Sequence, residues 1–328
     1  MTNFAPVLQG FFTQRLAQRR ASPATVANYR DTYRLLLKFA SQRTGKAPSK
    51  LALADLDATL VCAFLDHLET CRSNSPATRN TRLIAIRSLF SHAALSCPED
   101  AETIRRVLAI PNKRTDTPIV SYLTRAETDA LLASPDRHTP LGRRDHALLL
   151  VAVQTGLRVS ELTSGVCSDI AFGTGANIHT NGKGRRQRCT PLLPGTAKLL
   201  QTWLRQRRAG PEDPVFPART GGHLSTDAVK DLLDKHVRHA TTACPSLAAK
   251  HVTPHTLRHT CAMHLLQSGV DVATIALWLG HASTQATQAY LHADLQLKEQ
   301  ALLRTAPTPQ GANRYKPTDS LLAYLESL

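Results

Sequence analysis

The segment that begins at Thr253 combines residue types that bind phosphate and move protons. Thr253 followed by Pro254 is typical of a helix N-terminus, with threonine as the cap and proline in the first turn. That start places His255 in the first turn and Arg258 one turn later on the same face. The free N–H groups and the dipole at this end favour an anion, and a guanidinium adds a planar pair of donors for phosphate oxygens. The segment therefore predicts a phosphate site in which a neutral His255 can accept a proton.

The same segment allows a second interpretation, because histidines are concentrated around it. Imidazoles are common zinc ligands, and four are near one another in the sequence: His251, His255, His259 and His264. Neither an HExxH pattern nor a pair of cysteines accompanies them, and these are the usual signatures of a zinc site. The sequence thus favours phosphate over metal.

A second candidate is Arg158, which follows Gly156 at the predicted end of an apolar helix and precedes Glu161 by three residues. An arginine–glutamate pair at this spacing is usually a surface salt bridge that contributes under about 1 kcal/mol. Alternatively, the carboxylate orients a guanidinium that is aimed at a phosphate. The local sequence leaves both interpretations open.

A third candidate is Lys183, in the turn-forming tetrad NGKG. β-like runs at 176–180 and 186–192 flank this tetrad, which predicts a hairpin with the lysine at its tip. A lysine at a hairpin tip is usually just exposed. With Arg185, Arg186 and Arg188 beside it, this lysine can also reach a DNA groove and donate a proton to a leaving oxygen.

The last pair of candidates is His281 and Tyr290, nine residues apart. A helix is predicted over 271–279 and ends at Gly280, so that His281 begins a loop. Tyr290 lies in the next predicted short helix. Taken alone, the histidine is a helix-end residue and the tyrosine a core or surface aromatic; a nucleophilic phenol is the other interpretation.

The residues ahead of these motifs predict an all-helical region. Ser-Pro pairs at 22–23 and 75–76 begin two helices with apolar residues at helical spacing, and a third helix is predicted between them, from Asp57 to Glu69. The helix after Ser75 carries three arginines away from its apolar positions: Arg79, Arg82 and Arg87. They form either a solvated basic face or a face that contacts DNA, and the spacing does not decide between the two.

Composition favours a polyanionic partner. The 328 residues include 40 Lys and Arg against 25 Asp and Glu, a net charge of +15, and such an excess makes nucleic acid the first partner to consider. The longest apolar run, Ala147 to Val153, has seven residues, far below the roughly 20 that cross a bilayer, so a membrane protein is not expected. Seven cysteines without a CxxC pair, and an N-terminus without the features of a secretory signal, predict a cytoplasmic protein.

Each motif is weak alone, but their order resembles the active site of the tyrosine recombinases, the phage integrase family. The stretches TGLRxSEL, GKGRRxR, HTLRHT, and LGH with a tyrosine nine residues later match that family between about residues 145 and 305. The resemblance implies six catalytic residues: Arg158, Lys183, His255, Arg258, His281 and Tyr290. It implies no metal and no cofactor, and it is strongest to recombinases carried by transposons and plasmids.

The resemblance also implies a role for each residue. The two arginines would hold the scissile phosphate, and Tyr290 would attack it to form a 3′-phosphotyrosine. His255 would transfer protons, His281 would donate a hydrogen bond to a phosphoryl oxygen, and Lys183 would protonate the departing 5′ oxygen. The implied partner is double-stranded DNA, enclosed by a clamp of two domains. Self-association to a tetramer on DNA, and contact with other recombinase subunits, follow from the same resemblance.

The predicted fold is mainly α with a small β-hairpin, in two domains. Loss of periodicity with many Pro, Lys and Arg residues predicts a linker at 111–120. We expect a helical core-binding domain at 1–110 and a mixed α+β catalytic domain at 121–306. A flexible tail at 307–328 is expected to end in a short helix.

Two other functions compete with recombination. A type IB topoisomerase shares the tyrosine chemistry but relaxes one duplex and does not exchange strands between two. A non-enzymatic DNA-binding regulator would use 255–269 and 271–280 as a helix-turn-helix. The two-domain helical layout and the HxxR motif favour the recombinase over the topoisomerase. A regulator has no use for Lys183, His281 and Tyr290 in this order, which disfavours that alternative.

Overall fold

The computed structural model of the protein describes residues 2–115, 120–181 and 187–280, together with Thr287 and Tyr290. The chain divides into two compact units, Met1–Thr117 and Pro118–Leu328. Both units are mainly helical, and the second contains a small antiparallel sheet. The predicted fold class is therefore confirmed. Among the described helices, none has the length and apolarity needed to span a membrane.

The first unit is built from helices whose starts follow from the sequence. The side chains of Ser22 and Ser75 each accept a hydrogen bond from the backbone N–H three residues later, and a proline follows each serine. Asp57 caps the helix between them. All three predicted helix starts are confirmed. The helices are α1 (Phe4–Gly10, continued by a π-helical segment Phe11–Leu16), α2 (Pro23–Thr44), α3 (Ala58–Thr70), α4 (Pro76–Ala93) and α5 (Ala101–Leu108).

The core of the first unit collects the apolar faces of these helices. Its largest fully buried side chains include Phe4, Phe11, Tyr33, Phe64 and Phe90. The hydroxyl of Tyr33 donates a hydrogen bond of 2.6 Å to the carbonyl of Ala85, which satisfies the phenol and ties α2 to α4. Burial of these aromatic and aliphatic faces stabilises the helices more than their intrinsic propensity does.

The second unit combines seven described helices with three strands. The helices are α6 (Arg125–Ala133), α7 (Pro140–Thr155), α8 (Val159–Ser164), α9 (Pro194–Gln206), α10 (Thr226–Ala243), α11 (Pro254–Gln267) and α12 (Val272–Leu279). Helix α7 contains the apolar run 147–153, is buried along most of its length and packs against α9 and α11. Such a run is expected of a helix enclosed by other elements.

The sheet of the second unit has the order β1-β2-β3, with β1 at Ile170–Ala171, β2 at Asn177–Asn181 and β3 at Gln187–Pro191. Strands β2 and β3 pair antiparallel, with Ile178 opposite Thr190. The predicted runs at 176–180 and 186–192 are confirmed to within one residue at each end. Strand β1 adds only two residues to the sheet, with Ile170 opposite Ile178.

Candidate active site

Helix α11 begins where the sequence predicts and carries Arg258 into the interior. The Thr253 hydroxyl accepts a hydrogen bond from the backbone N–H of Thr256, and Pro254 occupies the first turn. His255 is exposed in that turn, whereas Arg258 is only 4% exposed. The Arg258 guanidinium donates hydrogen bonds of 2.6 Å to the carbonyls of Gly156 and Leu279. Both carbonyls end helices, α7 and α12, so Arg258 joins three helices at one point.

Gly156 allows this close approach. It ends α7 in the left-handed conformation with φ +62°, which a side chain disfavours. A Cβ at this position would lie 2.6 Å from Cδ2 of Leu279. Glycine therefore lets the end of α7 pack against the end of α12, with the Gly156 carbonyl facing Arg258.

Arg158 is held in place by Glu161, and this contact decides between the two interpretations of the pair. The Arg158 backbone N–H donates to Oε2 of Glu161 at 2.7 Å, and its Nη1 donates to Oε1 at 2.9 Å. The Glu161 side chain is only 5% exposed, so this is not a surface salt bridge. Nη2 of Arg158 donates to the carbonyl of Gly280 at 3.1 Å. Arg158 thus faces the same helix end as Arg258.

A third guanidinium, that of Arg188 on β3, completes the cluster. Its Nη2 lies 2.7 Å from Oε2 of Glu161, and its Nη1 donates to the carbonyl of Leu279. Gly280 has φ +64°, and a Cβ there would lie 2.5 Å from Nη1 of Arg188. The sequence shows Arg188 as one of several basic residues after the predicted turn, and nothing local distinguishes it from its neighbours.

The charge balance of this cluster favours an anion. Arg158, Arg188 and Arg258 contribute three positive charges, and Glu161 contributes one negative charge. Burial, followed by the repulsion of Arg158 and Arg188, lowers the pKa of Arg258 to about 10. Burial is also the main cause that lowers the pKa of Arg188. Guanidinium groups are cationic in proteins, and a phosphate would relieve the mutual repulsion of the three.

Tyr290 lies against α11, and its hydroxyl contacts His259. The distance from Oη to Nδ1 of His259 is 2.9 Å, and the two rings meet edge to face with centroids 5.5 Å apart. Tyr290 is 3% exposed. Burial raises its pKa to about 12 although Arg258 opposes this shift. Burial, then repulsion from His255 and Arg258, lowers the pKa of His259 to about 4.

His259 is the residue that sequence reasoning missed. The sequence shows it only as one member of a group of histidines, for which zinc binding is the disfavoured interpretation. Helical spacing does place it one turn after His255, and the two imidazole rings stack with centroids 6.2 Å apart. Only the packing of Tyr290 on α11 distinguishes the two histidines, and no local pattern predicts that packing.

The structure brings together Arg158, Arg258 and the helix end that precedes His281, and it places Tyr290 beside α11. Several predicted residues lie outside the described residues: Lys183, Arg185, Arg186 and His281. The predicted tail at 307–328 and its short helix also lie outside them. The structure thus describes four of the six predicted catalytic residues: Arg158, His255, Arg258 and Tyr290.

The three arginines of α4 are not equally available to a ligand. Arg79 is 5% exposed, with its Nε 3.9 Å from a Glu69 oxygen on α3. The side chain therefore packs inside the first unit and is not part of a solvated face, and its contact with DNA stays a prediction. Arg82 and Arg87 are half-buried and donate hydrogen bonds of 3.3 Å to Thr32 and Asn112.

Comparisons with known proteins identify the family of the chain. The family model described as the phage integrase family matches residues 121–296, and the model of the phage integrase N-terminal SAM-like domain matches residues 8–95. The chain is 52% identical over 327 residues to the putative integrase/recombinase y4rC of Sinorhizobium fredii, covering 99% of this chain and 98% of that protein. It is 32% identical to the tyrosine recombinase XerC of Pelobacter propionicus, covering 85% of this chain and 87% of that protein.

A solved structure shows the same fold. The XerH site-specific recombinase, bound to palindromic difH substrate in a post-cleavage complex, superposes with a TM-score of 0.67 at 24% identity. The match covers 87% of this chain and 81% of that chain. With both domain models matched and a relative 52% identical along nearly its whole length, this chain belongs to the phage integrase family, the tyrosine recombinases.

Proposed function

We propose that this enzyme cleaves and rejoins DNA strands at specific sites, with Tyr290 as the nucleophile. One observation carries the assignment: the hydroxyl of the buried Tyr290 packs against α11, the helix that carries Arg258. The positive charge of Arg258 acts on this phenol, and the cluster around Arg258 has more arginines than carboxylates. A phosphodiester is the anion that such a cluster fits, and a phenol is the nucleophile that leaves a covalent ester on the enzyme.

In the proposed reaction, Arg158 and Arg258 bind the non-bridging oxygens of the scissile phosphate. The charge on these oxygens grows as phosphorus is attacked, and the two guanidinium groups are already in position when it does. Their carbonyl partners on α7 and α12 hold them there. Glu161 orients Arg158 through two hydrogen bonds, and its negative charge offsets part of the repulsion between the guanidinium groups.

The remaining proposed roles concern protons. Tyr290 displaces the 5′ oxygen, which takes a proton from Lys183, and a 3′-phosphotyrosine retains the bond energy for rejoining. His255, exposed at the positive end of α11, serves proton transfer around the phosphate, and His281 donates a hydrogen bond to a phosphoryl oxygen. Loss of the 5′ oxygen is reversed when a second strand end attacks the phosphotyrosine.

The proposed partners are double-stranded DNA and further copies of this chain, which assemble as a tetramer on two duplexes. A net charge of +15 supports the first partner. Family membership supports the second, as well as contact with other recombinase subunits in a mobile element. We place the enzyme in the cytoplasm, where its seven free cysteines would stay reduced.

The proposal is tested with a suicide half-site, in which the strand beyond the scissile phosphate is lost after cleavage and the covalent adduct is trapped. We expect a protein–DNA adduct on a denaturing gel for the wild type and none for Tyr290→Phe, which deletes one hydroxyl and no charge. DNA binding in a gel shift stays within about twofold of wild type, because phosphate contacts dominate affinity.

Tyr29→Phe is the matched control, because it deletes a phenol hydroxyl from the first unit and should leave adduct formation intact. A Tyr290→Phe adduct would contradict the assignment of the nucleophile. Exchange between two full sites, compared with relaxation of a supercoiled plasmid that has no site, separates the recombinase from a type IB topoisomerase.

A further inference from the structure

We infer that His259 is a further catalytic residue, whose Nδ1 takes the proton of the Tyr290 hydroxyl as that oxygen attacks the phosphate. The inference rests on the proposed cleavage by Tyr290 and deepens it, because it names the group that activates the nucleophile. His255 keeps its proposed role in proton transfer around the phosphate; for the proton of the Tyr290 hydroxyl, the geometry points to His259, one turn later.

The contact has the geometry that proton transfer needs. Oη of Tyr290 and Nδ1 of His259 are 2.9 Å apart, within the range of about 2.6–3.2 Å in which a side chain can take a proton directly. The hydroxyl belongs to a side chain that is 3% exposed, so bulk water has little access to it. A buried phenol needs a base in direct contact, and His259 supplies one.

The surroundings also fix which partner holds the proton before reaction. The phenol is protonated at neutral pH, because burial raises the pKa of Tyr290 to about 12. The imidazole is neutral, because burial and the nearby His255 and Arg258 lower the pKa of His259 to about 4. The hydroxyl is therefore the donor and Nδ1 the acceptor, with the imidazole proton on Nε2.

The arriving substrate makes the transfer easier. A phosphodiester bound at Arg258 brings a negative charge to the side chains that lower the pKa of His259, and this charge offsets their repulsion. The imidazolium that forms is then stabilised at the moment when it is needed. The position of His259, directly after Arg258 on α11, ensures that the phosphate and the base are held by the same turn of helix.

The step balances in protons and bonds. The bond between Oη and phosphorus forms, the bond between phosphorus and the 5′ oxygen breaks, and the phenol proton moves to Nδ1 of His259. The 5′ oxygen leaves with a proton from the acid assigned to Lys183. During rejoining the imidazolium returns its proton to Oη, so that the phenol leaves phosphorus as a neutral group.

The test is the rate of adduct formation by His259→Asn on the suicide half-site. Asparagine keeps a polar atom near the position of Nδ1 but cannot take a proton. We expect the rate to fall by about 10²–10⁴-fold, with gel-shift affinity and the circular dichroism spectrum unchanged. A rate within threefold of wild type would overturn the inference. Absence of an adduct with the wild-type enzyme would instead overturn the proposed function itself.

A second substrate separates the nucleophile from the leaving group. When sulfur replaces the bridging 5′ oxygen, the leaving thiolate needs no proton, but the phenol must still lose its own. We expect this substrate to restore cleavage by Lys183→Ala and to leave His259→Asn slow. Recovery of His259→Asn on this substrate would mean that His259 acts on the leaving group, and the inference would be wrong.

Chemical rescue tests the same role of His259 if His259→Asn fails to fold. His259→Gly leaves space where the imidazole was, and added imidazole is expected to raise its rate in proportion to the concentration of the neutral base. Imidazole should have no such effect on Tyr290→Phe. A His259→Gly rate that does not respond to imidazole, with a normal melting curve, would count against a base at this position.

Discussion

Arginines of both units illustrate two ways in which a positive charge is positioned. Around Glu161, the guanidinium groups of Arg158 and Arg188 contact one carboxylate. Beside them, Arg258 donates to the carbonyls that end α7 and α12. Along α4, the three arginines have different surroundings: Arg79 is buried beside Glu69, while Arg82 and Arg87 are half-buried and donate to Thr32 and Asn112. Convergence produces a site, whereas spacing along one helix produces only a basic segment.

The difference lies in what each guanidinium is bonded to. Carbonyl and carboxylate partners hold Arg158 and Arg258 in fixed orientations, and the net charge of the cluster stays positive, so a ligand finds its donors already arranged. Arg79 instead lies close to a carboxylate that Lys113 also contacts, at 2.5 Å. The carboxylate of Glu69 offsets the charge of Arg79 inside the unit, and a phosphate would have to displace this carboxylate to bind Arg79. An arginine count therefore says little about binding until the partners are known.

The largest effect on this comparison is expected from Arg188→Gln, which removes the guanidinium that connects β3 to both Glu161 and Leu279. Arg158 would still bind Glu161, but Glu161 would lose the contact with Arg188 that fixes its carboxylate. Arg158 would then be less precisely oriented, so adduct formation should slow by about tenfold or more. The buried carboxylate would also lose a charged partner, at a cost of about 1–3 kcal/mol in the free energy of unfolding. Suicide-substrate kinetics and a melting curve measure the two effects.

Gln187→Ala is the control for this variant, because it changes the neighbouring, exposed residue of the same strand. It should leave both the rate and the melting temperature unchanged. An Arg188→Gln enzyme with the wild-type cleavage rate would show that the convergent cluster is not what orients Arg158. Loss of stability alone would assign Arg188 a purely structural role.

Much of the site could be predicted from the sequence, because each motif is local. The helix start at Thr253, the pairing of Arg158 with Glu161 and the hairpin strands follow from caps, spacing and turn residues. Convergence could not be predicted in the same way. The roles of Arg188 and His259 depend on contacts with Glu161 and Tyr290, which are 27 and 31 positions away in the sequence. Tertiary packing alone sets such contacts.

The burial of Arg79 has the same explanation. A helical wheel places it away from the apolar stripe of α4, but it does not show that α3 brings Glu69 to that side. Prediction from periodicity assumes that a helix face is exposed to solvent unless its residues are apolar. A charged face against a neighbour that supplies the opposite charge is the case in which this treatment fails.

A smaller effect separates the two kinds of arginine within α4. Arg82→Ala should make the slope of log affinity against log salt shallower by about one, as expected for one lost phosphate contact. Arg79→Ala should leave that slope unchanged and lower the melting temperature instead, because it removes a buried side chain. Gel shifts over a salt series and thermal melts distinguish them. A shallower slope for Arg79→Ala would restore it as a DNA contact.

The smallest effect concerns the folded stability of the second unit at acid pH. His259 has its pKa lowered to about 4 in the folded protein, against an ordinary value near 6.5 when the chain is unfolded. Between these values the unfolded chain binds a proton that the folded chain does not. The free energy of unfolding should therefore fall as the pH decreases from about 6.5 toward 4. Above pH 6.5, His259 is neutral in both states and no longer lowers the free energy of unfolding.

His259→Asn should weaken this dependence, because asparagine does not titrate. The difference from wild type at pH 5 is expected to be about 1 kcal/mol, because solvent around the partly buried ring reduces both the effect of burial and the repulsion that lower its pKa. Other histidines, such as His146 and His264, also have lowered pKa values and stay in both proteins, so only the difference between the two curves reports on His259. His138→Asn, at an exposed histidine, is the matched control. Denaturant titrations at pH 5 and pH 7.5 measure the effect. Parallel curves for wild type and His259→Asn would mean that the imidazole is charged in the folded protein at pH 5, and therefore that burial, His255 and Arg258 lower its pKa less than the structure indicates.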